Sequence, residues 1–252
     1  MTLRLFPASE GHTLCVSKES VYHLFCFNTF LGDGRCGYQY LHHGKPHPAV
    51  NLTGMCFEGV NGLEMLDFYL YCGFRLPRET IPQQPVFSAD SEKINRLMTD
   101  NNLESGKTVL LAPYSTGLAD YLLPELFWTE LAKGLTAHGF SACTNCSGDE
   151  RPVEGTRRLF IPIREIVPFL DKSGYFISIR SGLCDVISTS KCKKIVIHTQ
   201  TAKWWSDGMS LWYTGLNHMG LCSDVVELEC RGDNWDELRD EIINTMLQEL
   251  SM

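Results

Sequence analysis

The sequence predicts an α/β protein built on a doubly wound parallel sheet. Three observations predict it. Over residues 91–252, short apolar runs alternate with segments of helical spacing. Two of those runs, Thr108-Val-Leu-Leu-Ala-Pro113 and Ile195-Val-Ile197, are apolar almost throughout, as strands covered on both faces are. Between them, an apolar run at 175–179, a short Arg180-Ser-Gly182 turn, a helix-compatible segment at 183–188 and the run at 195–197 spell strand, turn, helix, strand.

The elements follow in order. Residues 91–100 form a helix opened by Asp90 or Ser91 as cap, with Ile94, Leu97 and Met98 on one face. Gly106-Lys107 turns into the strand at 108–113. Leu123, Phe127, Leu131 and Leu135 repeat at helical spacing, with Pro124 in the first turn and Gly139 as the stop, so 123–138 is the next helix. Short strands at 140–143 and 158–162 precede a helix at 163–172 that ends at Gly174. The central unit comes next, with its second strand at 194–198, then a Trp-rich region at 203–220, a strand at 225–230 and an amphipathic helix at 234–250. Residues 1–90 read as a smaller N-terminal domain with a few strands and a helix near 62–72. Pro77, Pro82 and Pro85 mark a linker, because each proline removes a backbone donor and stops a helix.

Composition excludes several classes. With 252 residues, 44% hydrophobic and 21% charged, the chain has the makings of a sizeable core. Its net charge of −8 and its scattered 22 basic residues argue against nucleic acid as a partner. No apolar run is long enough to cross a membrane, and Met1-Thr-Leu-Arg-Leu-Phe-Pro7 lacks the pattern of a secretion signal, so a cytoplasmic location is expected. Eleven cysteines spread from Cys15 to Cys230 suit buried thiols better than a disulfide framework. Cys143-Thr-Asn-Cys146 has metal-ligand spacing, but no second pair stands at zinc-site distance, and no metal is expected.

Ligands on such sheets bind beyond the carboxyl ends of the strands. Three loops lie there. In the first, Pro113-Tyr-Ser-Thr-Gly117, the hydroxyls of Ser115 and Thr116 and the bare backbone of Gly117 suit a phosphate or sugar. In the second, the N–H groups of Ser181, Gly182 and Leu183 stand where the positive end of a helix dipole meets an anion, and Arg180 either adds a guanidinium for bidentate phosphate contact or forms a structural ion pair. Asp185 either complements the helix dipole or lines the same site. The third runs from His198 through Lys203, Trp204 and Trp205; His198 reads as a satisfied core or edge histidine and the tryptophans as packing residues.

These motifs, in this order, resemble a family. Val109-Leu-Leu-Ala-Pro-Tyr-Ser115, Leu123-Pro-Glu-Leu-Phe-Trp128, the run from Phe176 into Ser181-Gly-Leu-Cys-Asp-Val-Ile-Ser188, and Lys194-Ile-Val-Ile197 are similar to the C-terminal half of GT-B glycosyltransferases, above all the heptosyltransferase-like branch and related bacterial surface-polysaccharide enzymes. The resemblance covers residues 105–200. It implies a Rossmann-like donor domain over 91–252 and a reduced acceptor-side domain over 1–90. It also implies a metal-independent transferase without a cofactor, moving sugar from a nucleotide-diphosphate sugar to a glycan or glycolipid acceptor. Ser115, Thr116 and Gly117 would then meet the donor's phosphate or sugar, and Arg180, Ser181, Gly182, Leu183 and Asp185 its diphosphate, with Arg180 also catalytic in stabilising the charge that develops on the leaving group. Asp33, in Leu31-Gly-Asp-Gly34, would be the general base. Where the family carries Asp-Ser-Gly-x-x-His, this chain carries Arg180-Ser-Gly-Leu-Cys-Asp185. The short N-terminal part equally fits a non-catalytic nucleotide-sugar- or glycan-binding subunit that works with a partner subunit or with a second copy of the chain.

Overall fold

The computed structural model describes residues 86–87, 90–115, 123–199, 211, 214–230 and 234–250, and four two-residue strands nearer the N-terminus, Thr2–Leu3 with Leu14–Cys15 and Leu41–His42 with Lys45–Pro46. The rest of the expected N-terminal domain, including the helix near 62–72, lies outside the described residues.

From residue 90 the chain runs α1 (Ser91–Asp100), β1 (Thr108–Ala112), α2 (Glu125–Ala137), β2 (Ser141–Asn145), β3 (Arg157–Leu159), α3 (Ile166–Ser173), β4 (Gly174–Ile179), α4 (Gly182–Ile187), β5 (Lys193–Thr199), β6 (Val225–Cys230) and α5 (Trp235–Leu250). The six strands form one sheet in the order β6-β5-β4-β1-β2-β3, and every neighbouring pair is parallel. In sequence order that is 3-2-1-4-5-6 read from the other edge, the order of Rossmann-like sheets.

Local chemistry sets the elements. The Asp90 carboxylate accepts from the amides of Glu92 at 2.9 Å and Lys93 at 3.4 Å, capping α1, whose Ile94 and Met98 are buried one turn apart. Pro124 stands at the N-cap of α2 rather than inside it, with an extended ψ of 147°, so the helix starts at Glu125, two residues later than the spacing suggested. α3 also starts late, at Ile166, because the chain between β3 and the helix first makes a turn closed by Glu165 N donating to Pro162 O at 2.8 Å. It ends at Gly174, whose φ of 103° is left-handed. A Cβ there would lie 3.1 Å from the Gly106 backbone, so the two glycines let α3 return tightly into β4 beside the start of β1.

Alternation along the strands divides the core into two layers. Leu110, Phe176 and Val196 pack on one face with Ile94, Phe169 and Cys184 of α1, α3 and α4. Leu111, Ile177 and Ile195 pack on the other with Leu131 of α2 and Ile242 of α5. All five residues of β1 are buried, as its uninterrupted apolar run requires. Each fully buried Leu, Ile or Phe contributes about 1.5–3 kcal/mol of transfer free energy.

Candidate functional site

The chain after β1 crosses to α2 on one face of the sheet, and the chain after β4 crosses to α4 on the other. β1 and β4 are adjacent, with Ala112 opposite Ser178, and the Ser178 hydroxyl donates to Ala112 O at 2.9 Å. Connections leaving neighbouring strands toward opposite faces open a crevice between them, and this switch point is where such sheets bind ligands. The first two loops singled out from the sequence begin there, one after Ala112 at the end of β1 and the other after Ile179 at the end of β4.

On the β1 side, Ser115 is half-buried and Tyr114 Oη donates to Arg151 O at 2.6 Å, which ties this loop to the segment between β2 and β3. Thr116 and Gly117 lie outside the described residues, as do Asp33, Lys203, Trp204 and Trp205. On the β4 side, Ser181 is the N-cap of α4 in an extended conformation (φ −151°, ψ 171°) and makes no side-chain cap bond. Ser181, Gly182 and Leu183 are all half-buried.

Arg180 is placed differently from its expected role at the diphosphate. Its residue is 8% exposed, and the guanidinium is turned onto its own loop. Nη2 donates to Asp185 Oδ1 at 2.6 Å, Nη1 to Asp185 Oδ2 at 3.2 Å and to Ser181 O at 2.5 Å, and Nε to Thr214 O at 2.7 Å. Asp185 is its counter-ion, with a side chain 5% exposed, so the two residues expected side by side at a ligand meet each other instead. Burial pushes the Asp185 carboxyl up, against the pull of the Arg180 guanidinium. A buried carboxylate needs a partner of this kind, and the extended Ser181 gives the chain the bend that brings position 185 back to position 180.

A second buried pair lies on the same face two strands along. His198 at the end of β5 is fully buried, as its reading as a satisfied core histidine anticipated, and its Nε2 is 3.0 Å from Glu227 Oε1 on β6. Glu227 also accepts from Leu216 N at 2.8 Å and Asn217 N at 3.1 Å. Burial opposes ionisation of Glu227, and these donors outweigh it, holding the carboxyl below its ordinary range. For His198, burial and then the Arg180 charge push the imidazole down despite the Glu227 hydrogen bond. Sequence reading missed Glu227. The available signal was an acid at the centre of Val225-Val-Glu-Leu-Glu-Cys230, on a strand next to an apolar neighbour.

Cys143 and Cys146 are buried free thiols, and among the described residues no three His, Cys, Asp or Glu side chains are placed to hold a metal ion. No described helix is long and apolar enough to cross a membrane.

The strand order and the opposite crossovers after β1 and β4 define a Rossmann-like α/β domain with a topological switch point between those two strands. Among proteins of known structure, the chain is similar to the E. coli ADP-heptose LPS heptosyltransferase II at 13% identity and a TM-score of 0.48, covering 70% of this chain and 57% of that one. It is also similar to the E. coli heptosyltransferase WaaC with ADP at 14% identity and a TM-score of 0.44, covering 67% and 52% respectively, and to the same enzyme with ADP-2-deoxy-2-fluoro heptose at 14% identity and a TM-score of 0.42. The chain thus spans little more than half the length of these proteins. No protein-family model and no curated protein sequence matches it.

Proposed function

We propose that the chain is a glycosyltransferase that binds a nucleotide-diphosphate sugar at the switch point and passes the sugar to a glycan or glycolipid acceptor, in the cytoplasm and in surface-polysaccharide synthesis. One observation carries the reading: the Ser115 loop and the Ser181 turn, picked out in the sequence for their hydroxyls and amides, leave adjacent hydrogen-bonded strands at the switch point of the sheet. In this reading the N–H groups of Gly182 and Leu183 and the Ser181 hydroxyl face the diphosphate, and Ser115, Thr116 and Gly117 face the phosphate or sugar from the other side. Preorganised donors aimed at the departing diphosphate lower the barrier by stabilising its growing charge, in a transfer that needs no metal. Asp33 takes the acceptor's proton as general base. Arg180 supports the turn from inside through Ser181 O.

The inward pairing of Arg180 also favours a second reading. With its guanidinium matched to Asp185, the turn offers neutral donors alone, which suits a subunit that holds the nucleotide sugar without driving its departure.

Calorimetry with UDP, GDP, ADP and CMP, followed by their sugar conjugates, tests both. The transferase reading expects one nucleotide series to bind, Ser181→Ala to weaken it on the order of tenfold through loss of one charge-assisted hydrogen bond, and the conjugate to be turned over against an acceptor panel. Binding without hydrolysis or transfer selects the subunit. Binding of no nucleotide contradicts both.

A further inference from the structure

Glu227 gathers the rim more widely than its place in β6 suggests. Its carboxylate joins β5, through His198 Nε2 at 3.0 Å, to the turn at 214–217, through the amides of Leu216 at 2.8 Å and Asn217 at 3.1 Å. Arg180 holds the same turn from its other end, donating from Nε to Thr214 O at 2.7 Å. Gly215 lies between the two holds, where a Cβ would stand 2.2 Å from Leu211 O and 3.4 Å from Glu227 Oε2. That spacing leaves room only for glycine. From Arg180 the connection continues to Ser181 O at 2.5 Å and to both oxygens of Asp185, inside α4.

We propose that Glu227, oriented by His198, is the positioning residue of the switch-point site. It fixes the 214–217 turn, the Thr214 carbonyl of that turn fixes Arg180, and Arg180 with Asp185 fixes the Ser181–Gly182–Leu183 donors. The proposal rests on the donor-binding reading for its consequence, but the linkage itself is a property of the ligand-free protein. Two features separate it from ordinary loop capping. The tie crosses from β6 to the turn after β4, residues more than forty apart in sequence, and every link in it is a side chain buried at the rim or a backbone atom bonded to one. Buried networks of this kind act as units, so loss of one member is felt at the far end.

The test uses the full chain, labelled with 15N, in wild-type form and as Glu227→Gln, His198→Leu and His198→Gln. Glu227→Gln keeps the size but turns an N–H toward one of three donors. Its Ser181, Gly182 and Leu183 amide resonances are expected to shift in the absence of ligand, and its affinity for the bound nucleoside diphosphate to fall on the order of tenfold, as loss of a supporting partner does. His198→Leu, which removes the donor that orients Glu227, is expected to do the same, and it carries the comparison if Glu227→Gln does not fold. His198→Gln, whose carboxamide can still donate to Glu227, restores both readouts. Unmoved resonances at 181–183 in a folded variant whose Leu216 and Asn217 resonances do move would overturn the proposal, as would equal effects of His198→Gln and His198→Leu. If wild-type protein binds none of the nucleotides, the donor reading falls, and the ligand-free resonances still decide the linkage.

Discussion

Arg180 and Asp185 close a bidentate pair across five residues, with Nη2–Oδ1 at 2.6 Å and Nη1–Oδ2 at 3.2 Å, and both side chains are less than a tenth exposed. These are the two positions at which the chain departs from the Asp-Ser-Gly-x-x-His pattern it resembles, and here they answer each other. A cation at 180 and an anion at 185 form one structural unit, with Ser181, Gly182 and Leu183 in the loop between.

Because the pair is buried, removing one member leaves the other charged and unmatched. Arg180→Ala or Asp185→Ala is expected to cost about 3–5 kcal/mol of stability, and Arg180→Met with Asp185→Leu together to recover most of it. Denaturant unfolding of the two singles and the double checks this; single variants within about 1 kcal/mol of wild type would show that the pair does not hold the rim.

The His198–Glu227 pair makes stability fall in acid in two stages. Burial keeps His198 from protonating at its ordinary 6.5, so the unfolded chain takes up that proton first and stability drops as pH falls below 6.5. Glu227, held below its ordinary 4.5 by its donors despite burial, adds stability above 4.5 that disappears as pH falls through its folded value. His198→Gln removes the first stage and keeps the second, so its unfolding free energy is expected to be flatter than that of wild type between about pH 7 and 5. Parallel profiles for the two proteins would contradict the assignment.

At Gly174, φ is 103° and a Cβ would press on the Gly106 backbone at 3.1 Å. Backbone cannot yield as a flexible side chain does, so Gly174→Ala is expected to cost about 1–3 kcal/mol. Gly139, also left-handed but with nothing within 4 Å, tolerates alanine better. Melting temperatures of the two variants compare strain with strain plus contact.

Cys143, Cys146, Cys184, Cys192, Cys222 and Cys230 are buried and in no disulfide. Burial raises the Cys143 and Cys184 thiols, and Cys192 and Cys222 are pushed up to about 11. None of these four is a ready thiolate near neutrality. Iodoacetamide on native protein is expected to leave them unmodified, and peptide mass spectrometry after labelling with and without denaturant reads this out directly.

Much of the sheet was legible in the sequence, since apolar runs such as Val109-Leu-Leu-Ala112 and Ile195-Val-Ile197 bury on both faces and admit few alternatives. Helix starts were read less well where a local cap or turn overrides spacing, as at Pro124 and Glu165. The two rim loops were found by their residue types, but their meeting at the switch point depends on β1 pairing with β4, which no local pattern encodes. That Asp185 is the partner of Arg180 is hidden for a related reason: the two stand five apart, and only the bend at Ser181 joins them. Glu227 was hard to find because two of its three partners, Leu216 and Asn217, offer only backbone amides, which leave no mark in sequence, and its meeting with His198 depends on β5 pairing with β6.

The central claim is that the amides after β4 receive the phosphates of a nucleotide. Titration of the 15N-labelled full chain with nucleoside diphosphates measures it residue by residue. The account predicts that the Ser181, Gly182 and Leu183 resonances, with Ser115 across the crevice, move saturably and more than those of the remote strand β3; saturable binding that leaves these four unmoved would contradict it.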